Sequence, residues 1–123
     1  MRRVIVINET IKKYQNKVAE FARERDWDQF HTIKNLSMAL SVECSELMEH
    51  FQWDLDKNNA DDLSPKKKQE VEDELIDIFI YWLRITDKMD INLEEAFERK
   101  FRENIEKYPA DKVRGSSKKY NEY

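Results

Sequence analysis

Two short stretches hold acidic residues at a spacing that suits chemistry: Glu43 with Glu46 in "VECSE", and Glu74 with Asp77 in "ELID". Within each pair the residues stand three apart, so on a helix their carboxylates project from neighbouring points of one face. Glu43 sits inside an apolar seam that steps by four and three through Leu36, Leu40, position 43, Leu47 and then His50 and Phe51. Glu74 borders a second seam, between Val71 and Ile78, and shares a line with Glu70, Asp77 and Tyr81. If the two helices pack seam to seam as antiparallel neighbours, four carboxylates converge at one edge of the core. They cannot all stay ionised there without a counter-charge, so either protons or a hard cation must sit among them. Oxygen-only donors favour Mg²⁺, Mn²⁺ or Ca²⁺ over zinc, which takes His and Cys. Mg²⁺ keeps several waters and recruits substrate phosphates, so phosphate chemistry is the expected use of such a site.

Carboxylates three apart are ordinarily just a solvated helix face. What separates this chain from that case is that both pairs intrude on apolar seams. A di-iron carboxylate bundle is excluded, because it needs a Glu three residues before a His on two helices. Leu47 precedes His50 and Asp28 precedes His31 at that spacing.

The elements that must position these groups can be read from periodicity and caps. A first helix is expected from about Asn8 to Arg25, with Asn8 as N-cap and Ile7, Ile11, Tyr14, Val18 and Phe21 as its stripe. The preceding "RRVIVI" reads as a short strand or an arm. "RDWDQFH" interrupts, and a second helix runs from near Thr32 to about Trp53. After a polar loop, Ser64-Pro65 supplies an N-cap and an N1 proline. The third helix presents Val71, Leu75, Ile78, Trp82, Ile85 and Met89. Asn92 with Glu95 resembles a capping box for a fourth helix carrying Leu93, Phe97, Phe101 and Ile105, and Pro109 stops it. These assignments give an all-α domain over residues 1–109 and a basic tail over 110–123, which is expected to be mobile on its own.

Composition agrees. The 123 residues suit one core, and a single Gly with two Pro leaves few turn-makers, which favours a few long helices. The net charge of −4 argues against a general nucleic-acid binder. The opening "MRRVIVINET" is too short in apolar residues for a signal-peptide core or a membrane span, and the lone Cys44 has no internal disulfide partner. A cytoplasmic protein without membrane or nucleic-acid partners is expected. Four helices on so short a chain leave Trp27, Trp53, Phe79 and Trp82 to be covered, so a helical bundle completed by homo-oligomerisation, as a homodimer or homotetramer, is expected.

The same residues resemble the MazG-like all-α nucleoside triphosphate pyrophosphohydrolases, in particular their small dCTP pyrophosphatase branch. That family's pattern is EExxE, a spacer, then ExxD. The chain has "VECSE" and "ELID", with Val42 in place of the first glutamate. Position 42 faces away from the cluster, so tuning of the site is expected there, not its loss. "WDQFHTIKNLSMALSVECSELMEHFQW", "KFRENIEKYP" and "DKVRGSSKKY" are similar to further family stretches, so the resemblance covers Trp27 to the C-terminus.

The resemblance implies a Mg²⁺-dependent (Mn²⁺ as alternative) hydrolase that cleaves a nucleoside triphosphate between the α and β phosphates. Expected substrates are dCTP or a modified dCTP, in nucleotide-pool sanitation. Glu43, Glu46, Glu74 and Asp77 would hold the metal, with Glu46 or Glu43 taking or orienting the proton of the attacking water. Lys100 and Asn104 would reach the phosphates and the nucleotide. Trp27, His31, Asn35, Trp53 and Tyr81 would surround base and sugar. Glu49 and Glu70 flank the cluster, and the basic tail (Lys112, Arg114, Lys118, Lys119) could act as a lid. Two rivals are a nucleotide-sensing module, which would have an incomplete carboxylate set, and an oligomerisation bundle, which would have unbroken hydrophobic seams.

Overall fold

A chain with one glycine must end its helices by other means, and two aspartates do this work. The computed structural model describes residues 2–119 and 121–122, with side chains from residue 9 onward. Asp26 and Asp90 take positive φ (55° and 50°), the left-handed conformation that Asp tolerates better than most residues. At the first of these, Trp27 N–H bonds Ala22 C=O (2.9 Å) and Asp26 N–H bonds Arg23 C=O (3.1 Å). That is a Schellman motif, and it closes helix α1 (Arg2–Glu24). α1 begins earlier than expected: "RRVIVI" is helical and Asn8 lies within the helix, not at its cap. No Pro or Gly interrupts this run, and among the described residues there is no strand for it to pair with.

A single 3₁₀ turn, Asp28–Phe30, leads into α2 (Ile33–Glu49), whose N-cap Thr32 accepts the Asn35 N–H at 3.1 Å. α2 ends at Glu49, short of Trp53. His50 and Phe51 N–H bond three residues back, to Leu47 (3.3 Å) and Met48 (3.0 Å), tightening the last turn until it stops. Ser64 and Pro65 open α3 (Pro65–Lys88) as expected, Ser64 Oγ accepting the Lys67 N–H at 3.1 Å.

The chain divides into two compact units, Met1–Met89 and Asp90–Tyr123. In the first, α3 packs against both α1 and α2. α2 and α3 run antiparallel: His50 at the end of α2 meets Lys67 and Glu70 near the start of α3, and Glu43 feels Asp77 further along. Among the described residues, Ala22, Leu36 and Leu83 are the fully enclosed apolar side chains. Between α1 and α3, Gln15 Nε2 donates to Thr86 Oγ1 at 3.1 Å, both residues being buried. Deleting the Thr86 hydroxyl strands the buried Gln15 amide at a cost of about 1–3 kcal/mol, whereas without Gln15 the hydroxyl keeps its bond to Trp82 C=O (2.9 Å). The expected α3 stripe is only partly inward. Leu75, Trp82 and Met89 are exposed, while Glu74, Tyr81, Arg84 and Thr86 take intermediate or buried positions. α3 thus carries apolar residues on two sides, and one of those sides faces solvent.

In the second unit, Asn92 Oδ1 accepts the Glu95 N–H at 3.2 Å and starts α4 (Leu93–Lys107). Phe97 and Phe101 stack with centroids 5.4 Å apart, and both are exposed with Ile105. The four expected helices are therefore present. The tail after Pro109 adds one not foreseen, the single turn α5 (Ala110–Val113). No helix among the described residues is long and apolar enough to cross a membrane.

Candidate metal centre and adjoining cavity

Antiparallel packing of α2 on α3 brings the two acidic pairs together. One carboxylate oxygen from each of Glu43, Glu46 and Glu74 lies within 4.8 Å of the other two, and all three residues are half-buried. Asp77 stays outside this close group and is exposed, yet its charge acts on Glu43. Glu43 Oε2 and Glu74 Oε2 are shielded from solvent and make no hydrogen bond. Orphaned buried carboxylate oxygens are rare and costly unless something else meets them. The residues fit a hard divalent cation: the donors are all oxygen, several are ionisable, and two of the innermost are unpartnered. Without a cation, burial followed by hydrogen bonding and charge from Glu46, then Asp77 and Glu74, pushes Glu43 up to about 7.

His50, which continues the α2 seam in the sequence, proves to be a neighbour of the cluster. Its Nε2 stands 3.6 Å from Glu74 Oε1, and its Nδ1 is 3.1 Å from Lys67 Nζ and 3.9 Å from Glu70 Oε2. A lysine ammonium can only donate, so Nδ1 accepts and the neutral ring carries its proton on Nε2, facing Glu74.

Beside the cluster a cavity of about 360 Å³ opens between α1 and α3, lined mainly by apolar surface. Trp27, His31 and Tyr81, all expected around a base and sugar, share its wall with Phe21, Ile80 and Arg84. The size and character are those of a small-ligand pocket. Trp27 is held edge-on against Phe21, centroids 5.7 Å apart at 71°. Tyr81 belongs to both places: it lines the cavity, and its phenol is pushed up by burial and then by the charges of Glu43, Asp77 and Glu46.

Arg84 and Asp28 were missed in the sequence. Arg84 is buried, donating from Nη2 to Asp28 Oδ1 (2.7 Å) and from Nε to His31 Nδ1 (3.3 Å). Lys88 Nζ reaches the same Asp28 oxygen at 3.0 Å. Hydrogen bonds from Lys88 and Arg84 hold the Asp28 carboxyl below the usual range. The His31 ring is pushed down by burial, then by the positive charges of Arg84 and Lys88. The available signal was a lone arginine inside the apolar run "FIYWLRI", since a charge there must find a partner.

The other expected residues stand elsewhere. Asn35 gives its amide N–H to Phe30 C=O at 3.0 Å, bracing the turn that carries Trp27 and His31. Trp53 lies past the end of α2, 85% exposed, and is not among the cavity's lining residues. Lys100 and Asn104 lie one turn apart on α4, and Lys100 Nζ is 3.6 Å from Glu103.

Comparison with known proteins gives consistent results. The MazG-like family profile matches residues 38–123. Human dCTP pyrophosphatase 1 is 39% identical over 114 residues, covering 92% of this chain and 67% of the human protein. The bovine dCTP pyrophosphatase 1 is 38% identical over the same length, covering 92% and 68%. Among solved structures, a pyrophosphatase from Archaeoglobus fulgidus superposes with a TM-score of 0.73 at 37% identity, covering 81% of this chain and 93% of that one.

Proposed function

The chain belongs to the MazG-like family and is a nucleotide pyrophosphohydrolase, and on that premise we propose that it hydrolyses dCTP or a modified dCTP in a Mg²⁺-dependent reaction. The products are the nucleoside monophosphate and pyrophosphate. The observation that carries this reading is Tyr81, which lies in the wall of an apolar cavity and in the field of the carboxylate cluster. A ligand with an aromatic ring in the cavity would carry its anionic part toward the acidic cluster, and a nucleotide has that form. Anionic phosphate meets anionic carboxylates favourably only with a cation between them. Glu43, Glu46 and Glu74 would hold it, with Asp77 adding its charge nearby. When bound, Mg²⁺ neutralises the triphosphate and acidifies water.

The protein's own groups do the rest. Water oxygen bonds to the α-phosphorus as the bond from that phosphorus to the α–β bridging oxygen breaks, and pyrophosphate leaves with that oxygen. Glu46 or Glu43 accepts the water proton. Trp27 offers a ring face to the base, and His31 and Tyr81 offer polar edges. Asn35 serves this site indirectly, by fixing the turn beneath Trp27. Lys100 and Asn104 are proposed as phosphate and nucleotide contacts, and Trp53 as a base contact, on the family resemblance alone.

We also propose that the protein works as a homo-oligomer. Met38, Met48, Leu75, Ile76 and Trp82 are exposed on α2 and α3, more apolar surface than a small monomer ordinarily leaves in water. A non-catalytic nucleotide sensor gains no support, since all four acidic positions are filled.

The direct test of substrate is a panel of dNTPs and NTPs, each with Mg²⁺, compared by kcat/KM. A clear preference for dCTP or its 5-substituted forms supports the reading. Equal rates on all bases, or turnover undiminished in chelator, contradict it.

A further inference from the structure

We propose that Arg84 is a positioning residue that fixes His31 as a hydrogen-bond donor into the Trp27–Tyr81 cavity, selecting a ring that presents an acceptor atom there. The proposal rests on the reading that this cavity holds the nucleobase. Arg84 is 4% exposed, so its guanidinium is held by protein groups and not by water. A guanidinium only donates. Its Nε–H points at His31 Nδ1 (3.3 Å), and that ring nitrogen must therefore present its lone pair. The neutral imidazole then carries its single proton on Nε2. A proton on Nδ1, in the other tautomer or in the imidazolium, would set two N–H groups against each other.

Asp28 makes the arrangement rigid. Nε and Nη2 of an arginine lie along one edge of a planar fork, and here one prong takes His31 while the other takes Asp28 Oδ1 at 2.7 Å. Lys88 holds the same oxygen at 3.0 Å, so the carboxylate is fixed from two sides. Asp28 begins the turn that follows Trp27, and Arg84 lies one helical turn beyond Tyr81 on α3. The two walls of the cavity are thus joined through the group that sets the His31 proton.

The consequence is chemical selection. Cytosine presents two adjacent acceptors, O2 and N3, whereas uracil and thymine carry N–H at N3. A fixed donor that faces N3 meets cytosine favourably and leaves uracil or thymine with two opposed donors. A site of this kind discriminates far better than an apolar wall, because the mismatched polar groups stay buried and unpaired.

The test pairs a spectrum with kinetics. Long-range ¹H–¹⁵N correlation of the labelled, ligand-free protein at neutral pH should show His31 with its proton on Nε2. In Arg84→Met the Nδ1–H form should appear, the KM for dCTP should rise about tenfold and kcat should stay within about twofold. The dCTP-to-dUTP ratio of kcat/KM should fall by a similar factor, with Arg84→Lys intermediate. An Nδ1–H tautomer or an imidazolium in the wild-type protein overturns the proposal. So does a folded Arg84→Met with tautomer and base ratio unchanged; if the methionine variant does not fold, the wild-type spectrum decides. Failure of the nucleotide reading looks different: no nucleotide is hydrolysed, and the ligand-free spectrum still decides whether Arg84 sets the tautomer.

Discussion

His50 Nε2 lies 3.6 Å from Glu74 Oε1, while Lys67 Nζ approaches the opposite ring nitrogen at 3.1 Å. This places a Lys67–His50 chain against one of the three converging carboxylates. Partners of this type orient metal ligands, and their loss typically weakens the metal 10- to 100-fold. His50→Leu should therefore raise the Mg²⁺ concentration for half-maximal activity about tenfold, with a smaller change in kcat at saturating metal. A metal titration of activity checks this, and an unchanged midpoint would count against this role.

The stability of the metal-free protein should depend on pH through Glu43. The unfolded chain releases this proton near the ordinary value of 4.5, and the folded chain only near 7. The group's stabilising contribution is therefore complete below 4.5 and is lost as pH rises to about 7. In chelator the melting temperature should fall across this window, and Glu43→Gln should remove part of that fall. At pH 8 the variant should melt higher than wild type by roughly 5 °C. Saturating Mg²⁺ should raise the wild type at pH 8 and have much less effect on the variant. Thermal scans at pH 5 and pH 8, with and without Mg²⁺, read all of this. A variant less stable than wild type in chelator at pH 8 would refute it.

Cavity and cluster should separate kinetically. Aromatic stacking on a base is worth about 1–3 kcal/mol, so Trp27→Ala should raise the KM for dCTP about 5- to 150-fold with little loss of kcat. Glu46→Gln should act the other way, lowering kcat at least about 100-fold at saturating dCTP. Steady-state kinetics decides, and a Trp27→Ala defect confined to kcat contradicts the placement of the base.

The exposed apolar faces of α2 and α3 predict self-association. Sedimentation should give a mass of at least twice 15.0 kDa, and Ile76→Glu, placed on the exposed side of α3, should lower it. A wild-type protein that sediments as a monomer at micromolar concentration removes this part of the account.

Much of the site was legible before the structure because helical spacing is rigid. Glu43 could be placed in a seam, and Glu74 beside one, from residue intervals alone, and both prove half-buried. Ser64 and Asn92 cap helices as their place before periodic runs implied, whereas Asn8, expected to do the same, lies inside α1. What periodicity could not distinguish was which of two apolar sides of α3 turns inward. Leu75 and Trp82 belong by spacing to the same stripe as Ile78, yet they face outward. Nor does spacing reveal pairs formed across helices. Arg84 with Asp28 and His50 with Glu74 are 56 and 24 residues apart, and only the packing joins them. Trp53 shows the limit at a boundary, because a helix that ends one turn early moves its last aromatic off the expected face.

The central claim is that the carboxylates of α2 and α3 serve a reaction that splits a triphosphate between α and β. ³¹P NMR of dCTP turnover in Mg²⁺, run on the wild type and on Glu74→Gln, tests it most directly. The account predicts dCMP and pyrophosphate from the wild type and at least about a 100-fold slower reaction in the variant. Release of dCDP and orthophosphate, or an undiminished rate in Glu74→Gln, would contradict it.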